Sequence, residues 1–176
     1  MILIGLGSNL TTEQYTTSSD VINAALSALE NENIQIDLCS DFYETEPVPV
    51  SDQPWYINAV AKIKTDLGAK ELLNRLHTIE EKIGRVRRDR WEARIIDIDL
   101  LCYGDLVLPN KANWHSLASD ANKKQMIVPH SRMHERNFVL IPLLEIAPLW
   151  VHPVFNKNTR QLLNESKTVG LVRKIT

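Results

Sequence analysis

Apolar positions change period several times along this chain, and each change marks an element. Residues 2–7 form a short apolar run ending at Gly5 and Gly7, a pattern that predicts a buried strand. After a polar stretch, Ile22, Ala25, Leu26 and Leu29 recur at helical spacing, with Ser18, Ser19 or Asp20 available to cap the helix. Ile34, Ile36 and Leu38 alternate with Gln35, Asp37 and Cys39, the two-residue period of a strand. Pro47, Pro49 and Pro54 among polar residues predict a loop over 44–54, and residues 56–65 read as the next strand. Ala69, Leu72, Leu73, Leu76, Ile79 and Ile83 mark a second helix, and Gly84 is placed to end it. Residues 95–103 are strongly β-like.

Beyond that point the pattern weakens. Residues 108–127 are polar and predict a long loop, which in a small domain usually carries function or is disordered. Residues 137–147 are apolar but interrupted by Pro142, and the tail has one short helical signal near Gln161 to Glu165. The order β-α-β-β-α-β is the split β-α-β pattern of ferredoxin-like folds. The expected class is therefore α+β: one domain over 1–176, with an antiparallel sheet and a C-terminal extension.

Composition narrows the function classes. The longest apolar runs are a few residues, far short of the ~20 a membrane helix needs. The start, Met-Ile-Leu-Ile-Gly, has no basic region before the apolar residues and no small-residue cleavage site after them, so no secretory signal is expected. Cys39 and Cys102 are too few for a disulfide framework or an unaided zinc site and read as cytoplasmic thiols. A net charge of −2 argues against a nucleic-acid partner. Any anion site must come from a local cluster of Lys and Arg.

Such clusters exist. In "RIIDIDLL", residues 94–101, strand alternation puts Asp97 and Asp99 on one face, within roughly 7 Å of each other. Their like charges raise each other's pKa values unless a cation lies between. Mg²⁺ takes one or two carboxylates plus substrate phosphates; the bland alternative is a solvated strand face. "GRVRRDR" supplies Arg85, Arg87, Arg88 and Arg90, and Arg94 opens the acidic strand. Guanidinium forks match phosphate oxygens. Simple alternation would put Arg94 on the face opposite Asp97, unless the strand begins after it. "VPHSRMHERNF", residues 128–138, holds His130, Arg132, His134 and Arg136, a second phosphate grip. A zinc reading of His130 and His134 lacks the acid that HExxH would supply. Tyr56 and Phe138 come from distant segments; they are either core or the two walls of a slot for a flat heterocycle, with Asn58 on the face of Tyr56.

Together these segments resemble one family, the 6-hydroxymethyl-7,8-dihydropterin pyrophosphokinases. The resemblance rests on "GLGSNL" at 5–10, "FYETEPV" at 42–48, "DQPWYINAV" at 52–60, "GRVRRDRWEARIIDIDLLCYGD" at 84–105 and "VPHSRMHERNFVLIPLLEIAP" at 128–148. It implies a ferredoxin-like core and transfer of diphosphate from ATP to the pterin hydroxymethyl group, giving AMP, in a cytoplasmic monomer of the folate pathway. It further implies two Mg²⁺ ions on Asp97 and Asp99, with Arg85 and Arg94 acting beside them in catalysis. His77, Glu80, Arg87, His130 and Arg136 would meet the nucleotide, and Trp91 would close over both substrates. The pterin would stack between Tyr56 and Phe138, its edge read by Asn58 and by backbone near Thr45 and Val48. Ser131 stands where many members have a tyrosine, and His77 where many have a glutamine.

Overall fold

The computed structural model describes residues 1–48, 50–85, 93–119, 125–166 and 170–175. Strand β1 (Ile2–Ser8) leads to helix α1 (Ser18–Asn31), strands β2 (Gln35–Cys39), β3 (Tyr43–Thr45) and β4 (Tyr56–Lys64), helix α2 (Ala69–Ile83) and strand β5 (Asp97–Tyr103). Then follow helices α3 (Lys111–Ala118) and α4 (Asn137–Ile146), a small hairpin of β6 (Val151–His152) and β7 (Lys157–Asn158), helix α5 (Thr159–Glu165) and strand β8 (Val172–Lys174). The main sheet runs β5-β1-β4-β3-β8, with β2 on the same edge of β4 as β3. Every recorded pairing is antiparallel. Taking β2 and β3 as one interrupted strand, this is the ferredoxin-like order that the alternation of elements predicts.

The two faces of the sheet carry separate cores. Ile4, Leu6, Ile98 and Leu100 face α1 and α2, where Ile22, Leu29, Leu72, Leu76 and Ile79 are buried against them. Leu3, Val60 and Leu101 face the other way, against Leu140 and Leu143 of α4 and Leu162 of α5. That second face is only partly covered, and the uncovered part is where the site lies.

Several boundaries differ from the sequence expectation. The cap of α1 is Thr17, not Ser18, Ser19 or Asp20; its hydroxyl accepts from the Asp20 N–H while the Asp20 carboxylate accepts from the Thr17 N–H. The expected loop over 44–54 starts later, because Glu44 and Thr45 belong to β3. The expected loop over 108–127 contains α3 and is closed at its base by a bridge between Leu108 and Val128. Helix α4 continues through Pro142, and β8 adds a strand that the polar tail does not announce. Gly84 ends α2 as expected, at φ 112°, the left-handed conformation glycine adopts without strain. Among the described residues no helix is long and apolar enough to cross a membrane.

Candidate functional site

The site is a cavity of about 220 Å³ whose floor is the uncovered sheet face. Register explains its composition. Gly7 pairs with Asp97 on one side and Asn58 on the other, and Gly5 pairs with Asp99 and Val60. The acids, the amide and the glycines therefore share a face. A side chain at position 7 would crowd it: a Cβ there would lie 3.0 Å from Asn58 Oδ1.

Asp97 and Asp99 both line the cavity, as strand alternation requires, but they are not alike. One Asp97 oxygen is 2.6 Å from Arg85 Nη1 and the other 2.8 Å from Arg94 Nη1. Asp99 is more exposed, and its cations stand farther off: Arg136 Nη1 at 3.6 Å and His130 Nε2 at 3.8 Å. These are charge contacts, too long for hydrogen bonds. The acids are thus not a bare pair of like charges, because four cationic or titratable side chains already face them. Arg94 precedes the strand, so alternation does not bind it, and its guanidinium donates to Asp97 from the segment before β5.

Burial lowers the pKa of both innermost arginines, yet their net shifts are opposite. For Arg85 it would lower the pKa, but Asp97 and Glu80 outweigh it and hold the guanidinium more firmly protonated. For Arg136 burial prevails over attraction to Asp99, and its pKa is lowered. An anion in the cavity would relieve that desolvation.

Tyr56 and Phe138 both line the cavity, Arg136 lies 5.5 Å from the Phe138 ring centroid, and burial raises the Tyr56 hydroxyl's pKa. Asn58 is buried, and its amide donates to Thr45 Oγ1 at 2.7 Å. That bond fixes which way the amide presents its oxygen. Thr45 and Val48 complete this wall.

Other expected residues lie farther back. Glu80 is 1% exposed; its carboxylate accepts the Ile98 N–H at 2.7 Å and contacts Arg85. It covers the free edge of β5 and reaches the site through Arg85. His77 lies half-buried one turn earlier on α2, outside the cavity lining. Arg87 and Trp91 lie outside the described residues. Among the described residues no group of three or more His, Cys, Asp or Glu side chains is placed to hold a metal.

Sequence reasoning missed Asn9. This buried side chain accepts the Arg94 N–H at 2.8 Å and donates to the Pro54 carbonyl at 3.1 Å. It ties the end of β1 to both an arginine of the site and the loop before Tyr56. Its only signal was its place in "GLGSNL".

The family model for 7,8-dihydro-6-hydroxymethylpterin-pyrophosphokinase matches residues 3–148. The 2-amino-4-hydroxy-6-hydroxymethyldihydropteridine pyrophosphokinase of Haemophilus influenzae is 40% identical over 151 residues, covering 85% of this chain and 83% of that one. The enzyme of the same name from Aquifex aeolicus is 33% identical over 167 residues, covering 94% and 91%. Among solved structures, wild-type Plasmodium falciparum HPPK-DHPS superposes with a TM-score of 0.68 at 16% identity, over 93% of this chain. The chain spans 44% of that longer protein, and the likeness bears on the fold alone.

Proposed function

The chain belongs to the 7,8-dihydro-6-hydroxymethylpterin-pyrophosphokinase family, and from that premise we propose how its cavity performs the reaction. ATP and 6-hydroxymethyl-7,8-dihydropterin give AMP and the pterin diphosphate, a step of folate synthesis. The observation that carries the reading is the placement of Asp97 and Asp99 beside Arg85, Arg94 and Arg136, with Tyr56 and Phe138 walling the same cavity.

The pterin stacks between Tyr56 and Phe138. Its polar edge meets Asn58, held in one orientation by Thr45, and the backbone near Val48. The nucleotide phosphates lie toward Arg85, Arg94 and Arg136, with His130 on the same side. His77 lies toward the nucleotide base, and Glu80 steadies Arg85. Arg87 and Trp91 take the roles that family resemblance assigns them, a phosphate grip and a cover over both substrates.

The donor set fits a hard divalent cation. Two carboxylates open on one side of the cavity, and Mg²⁺ characteristically completes its shell with water and substrate phosphates rather than more protein ligands. Asp97 and Asp99 would hold two such ions, which when bound neutralise charge on both sides of the transferred group. Arg85 and Arg94 then exchange Asp97 for phosphate oxygens, and with Arg136 they stabilise charge on the transferred group and on the leaving AMP. Asp99, the more exposed acid with the looser partners, is placed nearer the pterin hydroxyl. No side chain is required as a strong base, because positioning and electrostatics supply most of the catalysis in phosphoryl-type transfer.

The test is the nucleotide product. Purified protein with ATP, Mg²⁺ and the pterin should form AMP and a pterin diphosphate, and neither should appear when any one component is left out. Formation of ADP would overturn the diphosphate-transfer reading.

A further inference from the structure

Helix α3 is eight residues long, too short to be stable alone. It sends a single fully buried side chain into the body, Trp114, at 1% exposure. The indole N–H donates to the Pro129 carbonyl at 3.1 Å. The ring lies 5.8 Å from that of His134 and 5.6 Å from those of His152 and Phe155, measured between centroids. Pro129 immediately precedes His130, and His134 lies between His130 and Arg136. Trp114 therefore contacts both limbs of the arch 129–136 from behind, while His130 and Arg136 face Asp99 from its front. The front limb is keyed to the sheet by the His130 N–H, which donates to Leu101 O at 2.8 Å.

Behind the arch, the contacts of Trp114 with the rings of His134, His152 and Phe155 are non-directional. His134 Nδ1 and His152 Nε2 are buried without a hydrogen-bond partner among the described residues. Ring packing alone allows sliding, whereas the indole–carbonyl bond fixes a register. We infer that Trp114 is a positioning residue for nucleotide binding: it sets the arch so that His130 and Arg136 converge on the phosphate side of the cavity. This rests on the assignment of His130 and Arg136 to the nucleotide, and it gives the long polar segment 108–127 a purpose in the reaction.

Trp114→Phe keeps a ring in place and removes the N–H; Trp114→Ala removes both. Three quantities decide the matter in each variant: affinity for a non-hydrolysable Mg-ATP analogue, affinity for the pterin without nucleotide, and the denaturant midpoint. Trp114→Phe should weaken the analogue by about tenfold, the equivalent of one lost hydrogen bond. KM for ATP should rise with it, while pterin affinity changes less than about twofold. Trp114→Ala should weaken the analogue further in the molecules that remain folded. A lowered midpoint with unchanged analogue affinity would make Trp114 a mere fold anchor and overturn the inference, as would equal losses for both ligands. His130→Ala and Arg136→Ala serve as controls. If both leave analogue binding intact, the nucleotide assignment itself fails. If they weaken it and Trp114→Phe does not, the positioning inference alone fails.

Discussion

Asp97 and Asp99 are two residues apart and chemically identical, yet their surroundings predict different behaviour on substitution. Among the described residues, Asp97 gives each oxygen to a guanidinium, whereas Asp99 has only looser charge contacts. Asp97→Asn should therefore cost the metal-free protein about 1–3 kcal/mol, the range for hydrogen bonds to charged groups. Asp99→Asn should change its stability by less than about 0.5 kcal/mol. Turnover should fall by orders of magnitude in both if both hold metal. Denaturant melts without Mg²⁺ and single-turnover rates with it separate the two effects; near-normal turnover in Asp99→Asn would remove that residue from the metal site. His152 makes a second residue-scale prediction. Its ring is fully buried, and desolvation, reinforced by His134 and His115, pushes its pKa down to about 3. Burial likewise lowers His134, with Glu135 opposing. The unfolded chain takes up a proton near pH 6.5 that the folded chain refuses. Stability should therefore be level above that pH and fall as pH drops from about 6.5 toward 3. His152→Asn, which keeps an acceptor for the Val154 N–H, should flatten part of the slope between pH 7.5 and 5. An unchanged slope in denaturation at those two pH values would refute this.

At the scale of elements, the site depends on the close contact of β1 and β4. Gly7 sits between Asp97 and Asn58 in the ladder, and Asn58 cannot easily retreat because Thr45 holds its amide. The backbone at Gly7 is extended strand, so alanine is conformationally allowed there, and the conflict is steric only. Gly7→Ala should push the Asn58 amide off its orientation and weaken pterin binding by roughly 1–2 kcal/mol, the loss of about one good hydrogen bond. The Mg-ATP analogue should bind as before. Calorimetry with each ligand alone tests this; pterin affinity equal to that of the parent protein would show that the Asn58 amide does not read the substrate. The neighbouring strand is braced from outside by β8: the Arg173 guanidinium lies 4.8 Å over the Trp55 ring and pairs with Glu44 of β3. The C-terminal extension thus supports the edge of the sheet nearest the Tyr56 wall.

For the molecule as a whole, the proposed phosphate and pterin sides of the cavity share supports. Arg94 and Arg136 line the cavity with Tyr56 and Phe138, and Asn9 links the Arg94 backbone to the Pro54 carbonyl. A phosphate that draws in Arg94 therefore acts, through Asn9, on the loop leading to Tyr56. The Mg-ATP analogue should tighten pterin binding, and linkage requires the pterin to tighten the analogue by the same factor. Titrations of each ligand with and without the other measure both factors; independent binding would refute the coupling.

The features legible in the sequence were those whose period is local. Alternation along residues 97–103 put both acids on one face, helical spacing located α1 and α2, and Gly84 marked the end of α2, because each is decided by neighbours within a turn or two. Even the family resemblance, which named Arg94, Asp97, Asp99, Arg136, Tyr56, Asn58 and Phe138, all in the cavity lining, could not say what those residues touch. Alternation left Arg94 open because its reach depends on where β5 begins, and that is settled by pairing with β1. Helix α3 was hidden because it buries one residue, and a single anchor has no period. Glu80 read as a nucleotide contact, yet it is sealed against the β5 edge, a placement made by the packing of α2 on the sheet. Charge in a sequence has a sign but no partner; partners come from register and helix packing, which bring Arg85, Arg94 and Asp97 together from separate segments. The sequence by itself determined the chemical inventory and the faces, while tertiary structure decided which charges compensate one another before any substrate arrives.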